Sequence, residues 1–182
     1  MKKEEAKPRS YGRWVLHIFL MSMVLSAALG LASGVVLEGA GYVLATAVLL
    51  AFILLGIVFD VVGVAVTAAD AKPFHSMASH REKGAKEALF LLRNAEKVSS
   101  FCNDVVGDIC GIVSGTTAAV IVSKLQAGLN TRSILISIAM TALISGVTIG
   151  GKAIGKRLAM TRSKEVVYRA ATVLRVLHIG KK

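Results

Sequence analysis

Asp60, Asn103, Asp104 and Asp108 stand in stretches that are otherwise apolar enough to cross a bilayer, with Ser99 and Ser100 just before the last three and Ser145, Thr148 and Lys152 in a later apolar run. A charged group facing lipid is expensive, so these side chains must face protein or water. Carboxylate, carboxamide and hydroxyl oxygens suit Mg²⁺ or another hard cation, which keeps part of its own hydration shell. Asp60, Asn103 and Asp108 are therefore the candidate metal ligands, bound or transported, with Asp104 and Ser100 as secondary members and Lys152 as a possible counter-charge. Two plainer readings stand beside this one. Asp60 could lie at the membrane interface, and Asp104, six residues into its run, could cap a helix N-terminus where the dipole favours negative charge. No nucleotide-binding glycine loop, HExxH, Cys-x-x-Cys or serine elbow occurs. The expectation is a protein without catalytic residues or a resident cofactor, and not an enzyme.

The stretch Val98–Val122 carries Ser99, Ser100, Asn103, Asp104 and Asp108 and needs a helix to hold them. Four-residue spacing puts Asp104 and Asp108 on one face, with Gly107, Gly111 and Gly115 as an adjacent smooth stripe for helix packing, within the chain or across a homodimer. Cys102 and Cys110, eight residues apart on that helix, cannot reach each other to form a disulfide.

The elements around this stretch follow from the apolar runs. The chain has 182 residues, 54% of them hydrophobic, with a formal net charge of +11. Long apolar runs indicate an all-α, polytopic membrane protein with four transmembrane helices, and a basic charge bordering those runs fits a lipid bilayer better than nucleic acid. Residues 1–41 hold a polar tail and a helix over Trp14–Leu37, longer than a signal-peptide core, ending at the turn Glu38–Gly41. Residues 42–182 hold spans at about 42–69, 98–122 and 133–151. Tyr42–Ala69 would reach roughly 42 Å against a hydrocarbon core of about 30 Å, which leaves the depth of Asp60 open.

Between the second and third spans, residues 70–97 form a basic linker in which Pro73 disfavours helix at the preceding residue and Glu82–Glu96 reads as an amphipathic helix. His75 and His80, five apart, do not share a helical face and read as solvated. A loop at Ser123–Arg132 turns at Gly128-Leu-Asn130, Gly30/Gly34 and Gly146/Gly150 are spaced for close helix approach, and residues 161–178 read as a basic amphipathic surface helix. With both termini and the linker on one side, that side carries twenty Lys and Arg and the other two, which predicts a multi-pass inner or plasma membrane protein with both ends cytoplasmic.

Several of these pieces also occur together in a known family. Phe59-Asp60-Val-Val-Gly63-Val-Ala65-Val-Thr67 is similar to a helix pattern F-S-x-S-E-T-A-L; Glu82-Lys-Gly84-Ala-Lys-Glu-Ala88 and Asn94-Ala-Glu96-Lys-Val-Ser-Ser100 are similar to a linker E-x-G-x-x-x-A ending N-P-E-x-L-L-S; and Gly151-Lys152-Ala-Ile-Gly155-Lys156 is similar to G-E-x-x-P-K. In this order, over about Phe59 to Leu177, they resemble the transmembrane domain of the CNNM/CorB family, associated with magnesium and cobalt transport or efflux. The resemblance implies divalent-cation transport as the function. The departures imply an alternative. The acidic residue of the first motif falls at Gly63, the glutamate of the last at Lys152 and its proline at Gly155, while the G-N of the middle span matches Gly107-Asp108 only after two extra residues. The chain is expected to lack the regulatory CBS domains common in the family, and Trp14–Leu37 is an additional helix. A fixed ammonium where a carboxylate belongs repels a divalent cation, so the alternative is a non-transporting structural or regulatory membrane protein in which Lys152 fills the former cation site, paired with Asp104 or Asp108.

Overall fold

The structure, a computed structural model, describes residues 8–128 and 134–176, which form helices joined by short turns and contain no strand. The helices are α1 (Pro8–Glu38), α2 (Tyr42–Ala68), α3 (Lys72–Ser79), α4 (Ala85–Arg93), α5 (Ala95–Ser100), a π-helix (Phe101–Gly107), α6 (Asp108–Gly128), α7 (Ile134–Thr161) and α8 (Ser163–Val176). Four helical rods, Val15–Glu38, Tyr42–Ala68, Ala95–Gly128 and Ile134–Thr161, are long and apolar enough to cross a membrane, so the chain is an all-helical, membrane-spanning protein. Most of the expected turn at Gly128-Leu-Asn130, the N-terminal lysines Lys2, Lys3 and Lys7, and the tail beyond Val176 lie outside the described residues.

Two spans run further than hydropathy alone suggests. The third rod extends from Ala95 to Gly128 because α5, the π-helix and α6 are continuous, and α7 continues through Lys152, Lys156 and Arg157 to Thr161. Charged residues end an apolar run without ending a helix, since lysine and arginine are good helix formers.

α2 is the central element. Its face of Ala45, Leu49 and Ile53 packs with Ala118 and Ile121 of α6 and with Leu37 and Ala40 at the end of α1. At that same end Tyr42 donates its hydroxyl to the Lys124 carbonyl at 2.8 Å, and Lys124 Nζ donates to the Leu37 and Ala40 carbonyls at 3.1 and 2.7 Å. The ammonium thereby adds a donor to the Leu37 carbonyl, which also accepts from the Ala40 N–H at 3.2 Å, and ties the end of α1 to α6. On another side of α2, a Cβ at Gly155 would lie 2.7 Å from Val61, and one at Gly151 would collide with Ile57. The close approach of α7 thus rests on Gly151 and Gly155. Cβ positions at Gly30, Gly34, Gly146 and Gly150, spaced for packing in the sequence, meet nothing within 4 Å.

Beyond the far end of α2 the linker and tail helices form a cap. Phe74 (α3), Ala88 and Leu91 (α4), Ala159 (α7) and Val167 and Ala171 (α8) enclose Ala65 and Val66 of α2 in one apolar cluster. α3 forms although Pro73 argued against helix there, because the proline falls in the first turn, where a missing N–H costs little. The single helix expected over Glu82–Glu96 is instead broken at both ends: Gly84, with φ +90, precedes α4, where an added Cβ would lie 3.4 Å from Thr172 on α8, and Asn94 separates α4 from α5. α8 is the amphipathic surface helix expected, but its apolar face is turned onto α4 and α2, where Val167 and Ala171 are fully buried. His75 and His80 are both exposed.

Candidate functional site

Asp60 lies 18 residues beyond Tyr42, about 27 Å along α2 and toward its cap-side end. It is 5% exposed. Two glycines on its helix, Gly56 and Gly63, let the third rod come close: a Cβ at Gly56 would lie 3.1 Å from Cys110, and one at Gly63 would overlap Asn103 Oδ1. The facing segment is the π-helix. Its wider turn, held by i to i+5 hydrogen bonding, is a common feature of functional sites. Asn103 donates from Nδ2 to Ser99 Oγ at 3.2 Å, while its Oδ1 packs against Gly63.

The third wall is α7. Lys156 Nζ is 3.7 Å from Asp60 Oδ2, an ion pair too long to be a hydrogen bond, between a lysine side chain 55% exposed and a carboxylate 7% exposed. Lys152, one turn earlier, reaches the same place: its Nζ lies 3.8 Å, and Asp60 Oδ1 3.9 Å, from the point where a Cβ on Gly107 would sit. Gly107 therefore leaves the gap into which the lysine and the carboxylate both point. The cluster contains one carboxylate and two ammonium groups and is net positive. Asp60 Oδ2 and Asn103 Oδ1 are buried acceptors with no hydrogen-bond partner.

The site joins Asp60, Asn103 and Lys152, but not Asp104 or Asp108, which are exposed on the third rod. Ser100 is half-buried beside Asn103's helical turn. Gly107 is buried in the site, whereas Cβ positions at Gly111 and Gly115 meet nothing within 4 Å. On the described residues, no group of three or more His, Cys, Asp or Glu converges to hold a metal ion. Cys102 and Cys110 are buried free thiols. Ser145 is exposed on α7, and Thr148 returns its hydroxyl to the Ile144 carbonyl at 2.8 Å.

Sequence reasoning missed Lys156 and the role of Gly56. The signal for Lys156 was its spacing four residues after Lys152, which puts both ammonium groups on one face of α7. With this geometry in hand, comparison of the chain with protein-family models, with curated proteins and with solved structures finds no match.

Proposed function

We propose that this chain is a non-transporting structural or regulatory membrane protein in which lysines of α7 stand where a cation would neutralise Asp60. The observation that carries this reading is the ion pair of Lys156 with the buried Asp60, with the Lys152 ammonium beside the same gap at Gly107. An ammonium tethered on a helix competes with a divalent ion at effectively very high local concentration. Two of them overcompensate the single negative charge and repel Mg²⁺ or Co²⁺. Asp104 and Asp108, which would raise the negative charge, are exposed and make no ion pair with the cluster's lysines. The resemblance to the CNNM/CorB transmembrane domain supports descent from a cation-handling architecture, with Lys152 at the position of that motif's glutamate. The charge distribution supports an orientation with both ends and the linker cytoplasmic, in a cell or inner membrane.

A second reading, divalent-cation transport, draws on the two orphan acceptors. Asp60 Oδ2 and Asn103 Oδ1 are buried oxygens without donors, of the kind a hydrated cation would satisfy if the exposed lysine chain swung aside. Flux separates the two. In reconstituted vesicles containing a Mg²⁺-sensitive dye, the first reading expects wild-type flux equal to that of empty vesicles. Mg²⁺ or Co²⁺ flux abolished by Asp60→Asn would establish the second reading instead.

A further inference from the structure

An apolar groove of about 660 Å³ opens where the membrane bundle meets the cap, bounded by α2, α4, α5, the π-helix and α8. Val58, Phe59 and Val62 form its bilayer end, and Leu174 and Val98 continue its wall into the cap. Among its lining residues Lys97 carries the one charge. We propose that this groove seats an acyl chain of an anionic phospholipid whose phosphate is held by Lys97.

The position of the groove argues for a lipid. Val58 is 16 residues from Tyr42, about 24 Å along α2, within a hydrocarbon layer about 30 Å thick measured from that end. Lys97 lies six residues before Asn103 on the third rod, about 9 Å further toward the cap, beyond the level of Asp60 and Gly63. The groove therefore spans the boundary between hydrocarbon and headgroups, apolar on one side and cationic on the other. Val58, Phe90, Phe101 and Val173 around it are 56, 50, 38 and 59% exposed, an apolar surface that in the cap would otherwise meet water. Charge complementarity selects the headgroup: an exposed lysine near a membrane surface attracts anionic lipid, whereas in a zwitterionic headgroup the choline cation offsets the attraction of the phosphate. This site is separate from the Asp60 cluster and does not depend on whether that cluster transports ions.

The test uses the full chain in mild detergent, incubated with vesicles of phosphatidylglycerol or phosphatidylcholine of identical acyl composition, with retained lipid read by native mass spectrometry. Wild type should retain phosphatidylglycerol about fivefold over phosphatidylcholine. Lys97→Ala should remove that preference and leave phosphatidylcholine retention unchanged. Val173→Trp should fill the groove and lower retention of both lipids. Both side chains are exposed, and an unchanged thermal midpoint verifies that each variant is folded. Equal retention of the two lipids by wild type, or wild-type retention of phosphatidylglycerol by both variants, overturns the proposal. So does a second copy of the chain on the groove, seen as a dimer that Val173→Trp dissociates without changing lipid retention.

Discussion

The two faces of the rod Ala95–Gly128 make opposite use of similar residues. Its inward face presents Asn103, Gly107 and Cys110 to α2, and there every small or polar group has a neighbour: Asn103 against Gly63, Gly107 between Lys152 and Asp60, Cys110 against Gly56. Its outward face presents Asp104, Asp108, Gly111 and Gly115, all exposed, and a Cβ at either glycine would meet nothing within 4 Å. Two carboxylates four residues apart beside a glycine stripe thus mark the face that the fold leaves open, while the one carboxylate the fold encloses comes from a different helix. A costly residue type identifies a helix that needs shelter or water; it does not identify what shelters it.

Substitutions can break this contrast, and the largest effect is expected from bulk. Gly63→Leu drives a side chain into Asn103, and Gly107→Leu fills the gap between Lys152 and Asp60, each expected to destabilise by about 3 kcal/mol, whereas Gly111→Leu should stay within about 0.5 kcal/mol. Thermal unfolding in detergent, followed by helical circular dichroism, measures all three. A loss at Gly111 equal to that at Gly63 would show that the outward face is packed too. Next comes charge. Asp60→Ala leaves two ammonium groups with no counter-charge beside a small void and is expected to cost about 1–2 kcal/mol, lowered by the exposure of Lys156, which can turn its head to water. Asp60→Asn should cost less than the alanine change, because it keeps the volume.

A smaller effect sharpens the account of the opposite end of the bundle. Lys124→Met removes two hydrogen bonds to the carbonyls of Leu37 and Ala40 and should cost about 1 kcal/mol, read as earlier proteolysis or hydrogen exchange at the α1–α2 turn. The smallest effect is expected at Asp104→Asn and Asp108→Asn, within about 0.5 kcal/mol each by the same unfolding assay, since neither carboxylate touches the Asp60 cluster.

Much of the architecture was legible in the sequence because apolar length is a strong signal. Four runs long enough to span a membrane became four spanning helices, and the amphipathic helix expected over residues 161–178 forms as α8, although Val167 and Ala171 are buried against the cap helices and not laid on the membrane surface. What the period could not reveal was phase. Treating Val98–Val122 as an unbroken α-helix fixes which residues share a face, but the π-helix at Phe101–Gly107 adds a residue to the turn and rotates the segments on either side by about 100° relative to each other. Glycine spacing failed for a related reason. Gly30/Gly34 and Gly146/Gly150 match a packing pattern, yet the contacts fall at Gly56, Gly63, Gly151 and Gly155, because close approach depends on which face meets a neighbour. Lys152 was expected to pair with an aspartate of the third helix, where the aspartates are most numerous; the carboxylate that shares the Gly107 gap with it is Asp60 on α2, and the ion pair there is made by Lys156.

The central claim is that the lysines of α7 take the place of a cation at Asp60. It is tested most directly by the effect of Mg²⁺ on the thermal midpoint of wild type and of the double variant Lys152→Met/Lys156→Met, in the same detergent and ionic strength. Wild type should show no Mg²⁺-dependent shift and the double variant an upward one, because Asp60 and Asn103 are then left free to accept an ion. A Mg²⁺-dependent rise in the wild-type midpoint that disappears in Asp60→Asn would contradict that claim.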